Sequence, residues 1–60
     1  MTNKDKFYKV YGNLPLNLRD EIIIVIDKEP ISWKVARLEI ENNTKQGNII
    51  LNKLEELKII

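Results

Sequence analysis

A mainly α fold of three helices, with a short N-terminal strand or arm, is predicted by three observations. Apolar residues recur at spacings of three and four: Leu14, Leu18, Ile22 and Val25, then Trp33, Ala36 and Ile40, then Ile50, Leu51, Leu54 and Leu57. Residues able to cap the first turn of a helix stand near the start of each run, at Asn17, Ser32 and Thr44. Finally, 60 residues hold only 2 Gly and 2 Pro, while 43% hydrophobic and 32% charged residues mark an ordered domain and not a disordered one. At roughly 100–200 residues per domain, residues 1–60 make one small unit, of which the polar stretch 1–6 is expected to fray.

Phe7-Tyr8-Lys9-Val10-Tyr11 is aromatic and β-branched and is followed by Gly12-Asn13 and Pro15, so a brief strand or extended arm is expected there. Asn17-Leu18-Arg19-Asp20-Glu21 reads as a helix start, with Asp20 and Glu21 where the positive end of the helix dipole favours acids. The five residues Ile22 to Ile26 are all β-branched, which favours a strand on propensity. A strand apolar on both faces needs a layer on each side, however, and so short a chain offers little to cover it. Residues 21–27 are therefore expected to continue the first helix, with an apolar surplus around Ile24 left for self-association.

Glu29-Pro30 interrupts that pattern, since Pro cannot continue a preceding helical ladder. Ser32 then caps a second helix whose buried stripe is Trp33, Ala36 and Ile40, and Trp33 reads as core packing in preference to a stacking or anchoring residue. Asn42-Asn43-Thr44 supplies a turn, with Asn in left-handed geometry and Thr44 capping the third helix. The alternative is an α+β fold with a small antiparallel sheet of residues 7–11, 21–27 and 31–40 and one C-terminal helix.

The inventory excludes several chemistries. With no Cys and no His, disulfides, thiolate and imidazole metal sites, and Cys or His catalysis are absent, so no cofactor or metal is expected. Asp20, Glu21, Asp27 and Glu29 read as a solvated face and not as an acid/base pair, and no catalytic residue is assigned. Ten basic and nine acidic residues leave a net charge of +1, so no global field draws the chain to nucleic acid or lipid. The longest apolar run is five residues and no signal-peptide apolar region is seen, so a cytoplasmic protein without a membrane span is expected.

Leu18 to Ala36, read as a helix, a short linker and a second helix, resembles the opening of a winged-helix/helix-turn-helix DNA-binding domain. Ile49-Ile50-Leu51-Asn52-Lys53-Leu54-Glu55-Glu56-Leu57-Lys58-Ile59-Ile60 is similar to the end of that family's recognition helix and the apolar pair after it. The resemblance implies a wingless three-helix variant, a transcriptional regulator whose third helix enters the major groove. Gly47 stands where the family has an apolar residue, at about 1 kcal/mol of helix propensity and with a core position left empty. Lys58 replaces the customary Gly.

On this reading Lys45, Gln46, Asn48, Asn52 and Lys53 form the outward face of the third helix, where Asn and Gln suit adenine edges and Lys suits guanine or phosphate. Lys34 and Arg37 are candidates for supporting phosphate contacts. The competing reading makes the same residues a solvated amphipathic face. Ile24, Ile23, Phe7 and Tyr8 are the candidate interface of a homodimer or of an accessory subunit that uses the helical fold for protein contacts alone in a larger complex.

Overall fold

The computed structural model describes residues 2–60. The order is helix α1 (Asn3–Gly12), a single 3-10 turn (Leu16–Leu18), strands β1 (Ile22–Ile26) and β2 (Glu29–Ser32), and helices α2 (Trp33–Glu41) and α3 (Lys45–Glu56). Three helices and a two-stranded antiparallel sheet make this an α+β fold. Two expectations are corrected: Phe7–Tyr11 is helical, and residues 22–26 form a strand. The alternative three-stranded sheet is also not found, since residues 33–41 are helical.

The N-terminal segment becomes helical because its ends are capped. The Thr2 hydroxyl accepts from the Asp5 N–H at 3.1 Å, and the Asp5 carboxylate accepts from the Thr2 N–H at 3.4 Å, a reciprocal capping box. Asn13 closes the other end, its side-chain amide donating to the Lys9 carbonyl. In that helix Phe7 and Tyr11, four apart, fall on one face and go into the core, which outweighs the strand preference of the aromatics.

Residues 22–32 form a hairpin. Ile26 pairs with Glu29 across Asp27 and Lys28, whose φ values of 50° and 68° are those of a type I′ turn. Asp-Lys fills a position where Asn-Gly is the usual signal, so the turn was not evident from the residues. Between Ile22 and Ile24 the register slips by one residue, a β-bulge opposite Ser32. The bulge breaks strict alternation: Ile24 is buried at 6% exposure, Ile23 and Ile26 pack against the core, and Ile22 and Val25 stay 54% and 59% exposed. A second covering layer is thus unnecessary, because one face of β1 is left open.

The helix pair α2–α3 is built as its caps predict. Ser32 accepts from the Val35 N–H at 3.2 Å, and Thr44 accepts from the Gly47 N–H at 2.9 Å. Asn43 takes φ 55°, and the amides of Asn43 and Thr44 bond back to the carbonyls of Ile40 and Glu39, a Schellman end to α2. Lys58 does the same for α3 at φ 59°, with Lys58 and Ile59 bonding to Glu55 and Leu54.

Gly47 is not an empty core position. A Cβ there would stand 2.5 Å from the Glu39 carbonyl oxygen and 3.0 Å from the Ile40 Cα, so the missing side chain is what lets the two helices close. The core is Phe7, Tyr11, Ile24, Ile31, Trp33, Ala36, Ile40, Ile50 and Leu54, drawn from α1, the hairpin and both later helices. Phe7 sits among the rings of Tyr8, Tyr11 and Trp33, with centroids 5.7–5.9 Å away. Among the described residues no helix is long and apolar enough to cross a membrane, and no group of three or more acidic side chains is placed to hold a metal ion.

Candidate association surface

The expected interface residues are mostly inside. Phe7 is fully buried and Ile24 nearly so, and both are core, while Ile23 and Tyr8 are half-buried against it. Their apolar character serves the fold, because a 60-residue chain has few other residues to bury. The apolar surface left in solvent is elsewhere, at Leu16, Leu18, Ile22, Val25, Val35, Leu38, Ile49 and Leu57.

Two of these eight, Val25 and Ile49, border one open cleft of about 410 Å³, lined by Val25, Ile26 and Asp27 from the hairpin and by Ile49, Asn52, Lys53 and Glu56 from α3. The backbone chemistry of β1 explains why this side is unsatisfied. In a two-residue hairpin the closing pair, here Ile26 and Glu29, exchanges hydrogen bonds, and bonded and non-bonded pairs alternate from there. Val25 faces Pro30 across a non-bonded pair, so the backbone groups of both point away from the ladder. On β2 the missing Pro30 N–H blunts that edge. On β1 the Val25 N–H and C=O point out with no hydrogen-bond partner among the described residues. No charge, Pro or Gly interrupts β1 itself.

The face of α3 turned from the core is chemically graded. At 3.6 residues per turn Lys45, Ile49, Asn52 and Glu56 fall within about 60° of one another, opposite the buried Gly47, Ile50 and Leu54. All four are exposed. The stripe runs from a cation at the N-terminal end through Ile49 and Asn52 to an anion at the C-terminal end.

The nucleic-acid candidates are divided by the fold. Lys45, Asn48 and Asn52 lie on the outward side of α3, and Lys53 lies at the edge of the cleft. Gln46 is half-buried, about 100° round from Lys45. Lys34 pairs with Asp20 at 3.4 Å, and Arg37 pairs with Glu41 at 3.6 Å while its guanidinium lies 5.6 Å from the Tyr11 ring centroid. Both cations thus have an anion beside them, which offsets their attraction for phosphate. Arg19 lies 4.5 Å from the same centroid and donates to the Tyr11 carbonyl, fastening the segment before β1 to α1.

Ile49 and Glu56 are absent from the candidates that the sequence offers, and Val25 enters them only within the apolar surplus around Ile24. The available signal was Pro30 three residues beyond Asp27, which is compatible with a hairpin edge as well as with a helix stop. A scan against models of known protein families finds no match, and comparisons with curated proteins and with solved structures find none either.

Proposed function

We propose that this chain is a non-catalytic protein-association module that works through the side formed by β1 and α3. One observation carries the reading: an uncharged strand edge with an outward-facing, unpartnered Val25 backbone borders an open cleft that Ile49 lines from α3. Strand edges of this kind are either protected or used, and β2 has Pro30 where β1 has no such protection. The near-balance of charge supports a protein partner over a polyanion. The test compares Val25→Lys with Leu38→Lys, an exposed residue of α2 outside the cleft. Val25→Lys is expected to reduce the native size of the tagged chain in cell extract to that of a monomer, whereas Leu38→Lys leaves it unchanged. The reverse pattern refutes the reading.

A second reading, a small DNA-binding regulator, is supported by the tight Asn42–Thr44 connection between α2 and α3 and by Lys45, Asn48 and Asn52 on the outward side of α3. Titration against random duplex DNA at low and at physiological salt separates the two. Steeply salt-dependent binding weakened by Lys45→Ala favours the regulator, and no binding at low salt removes it.

A further inference from the structure

We infer that the occupant of the β1–α3 side is a second copy of this chain, paired across a two-fold axis at Val25; this rests on the association reading above and names its partner. Three features of that side select a copy over an unrelated ligand. First, the Val25 N–H and C=O are the outward pair at this point of β1, and an antiparallel copy centred there meets them with its own Val25 N–H and C=O. The result is a four-stranded sheet in the order β2-β1-β1-β2, with the Pro30 edges outermost, so that the one unprotected edge is consumed and both remaining edges are blunted.

Second, a two-fold perpendicular to the sheet makes helices that lie along the sheet antiparallel across it, and the graded stripe of α3 is self-complementary in that sense only. Lys45 of one copy approaches Glu56 of the other, and this occurs twice, while Ile49 and Asn52 fill the middle. A parallel arrangement would set Lys45 against Lys45 and Glu56 against Glu56. Third, the rim of the cleft carries Asp27, Lys53 and Glu56, a mixture that does not favour a strongly acidic or strongly basic peptide.

The dimensions agree. A stable interface takes about 800 Å² from each partner. The widest face of this molecule measures 27 × 27 Å, so a dimer requires nearly all of one face. β1 and the Lys45–Glu56 stripe are both roughly 17 Å long, at about 3.3 Å per strand residue and 1.5 Å per helical residue. A strand edge and a helical stripe of equal length, both bordering the cleft, extend the contact beyond the cleft, which alone is too small.

The experiment is sedimentation equilibrium of the purified chain from low to high micromolar concentration. Twice the chain mass is expected. Lys45→Glu and Glu56→Lys singly are each expected to raise the dissociation constant about tenfold, since an exposed pair is lost twice and replaced by repulsion. The Lys45→Glu/Glu56→Lys double variant restores the original value, a rescue that loss of folding does not produce. Val25→Pro, with its circular dichroism unchanged, is expected to be monomeric because the outward N–H is gone. A wild-type monomer throughout the range, or a double variant weaker than both singles, overturns the inference. Should the purified chain be monomeric while its native size in extract still collapses on Val25→Lys, the association reading stands and the second copy as partner is rejected.

Discussion

Gly47→Ala puts the packing of α2 against α3 to a direct test. On an open helix position the substitution stabilises by about 1 kcal/mol, because Gly is the poorer helix former. At Gly47 the new methyl would lie 2.5 Å from the Glu39 oxygen, 2.8 Å from the Glu39 carbon and 3.0 Å from the Ile40 Cα. All three are backbone atoms, so no side chain is able to swing aside. Relief requires the helices to part, and the same Glu39 carbonyl is bonded to the Thr44 N–H and hydroxyl, each at 3.2 Å, which resist the shift. Overpacking of this sort costs up to about 3 kcal/mol, and the propensity gain of about 1 kcal/mol leaves a net loss near 2 kcal/mol. For a domain this small that is a fall in melting temperature of roughly 8–16 °C. Gly12→Ala is the internal control. It lies in the last turn of α1 without a positive φ, and a Cβ there meets nothing within 4 Å, so a gain of about 0.5–1 kcal/mol is expected. Thermal and urea unfolding followed by circular dichroism report both. A Gly47→Ala protein as stable as the parent would refute the close approach as the reason for glycine.

Two other substitutions read the turns and caps. Lys28→Gly in the hairpin turn and Lys58→Gly after α3 should each raise stability by about 1 kcal/mol, since both lysines hold positive φ at a cost that Gly avoids; a lower urea midpoint in either variant contradicts the assigned backbone. Thr44→Ala removes a hydroxyl that accepts from Gly47 and donates to the Glu39 carboxylate at 2.6 Å, and is expected to lose about 1–2 kcal/mol. Ser32→Ala, which loses only the bond from Val35, should lose less, and equal losses in calorimetry would argue against the Glu39 contact.

The later half of this chain was legible because its signals agree with one another. Ser32 and Thr44 cap, Asn43 turns, and Trp33, Ala36 and Ile40 repeat at helical spacing, so propensity, capping and burial all point to the same two helices. Asn48, Asn52, Lys45 and Lys53 could be assigned to the solvent side of α3 for the same reason, while Gln46, read the same way, is half-buried. In the first half the local signals conflict. Phe7 to Tyr11 has strand-forming side chains but helix-forming ends, and Thr2 and Asp5 decide the matter through bonds that composition does not reveal. Ile22 to Ile26 fits either period, and the choice depends on how much of it must be covered. That quantity belongs to the assembled molecule. With α1 supplying Phe7 and Tyr11 to the core, one face of β1 suffices, a bulge turns Ile23 inward, and Val25 is released to the surface. Gly47 is the same lesson at one residue: helix propensity counts it as a defect, and only the position of the Glu39 carbonyl, fixed by the turn between two helices, makes the absence of a side chain the condition for their packing.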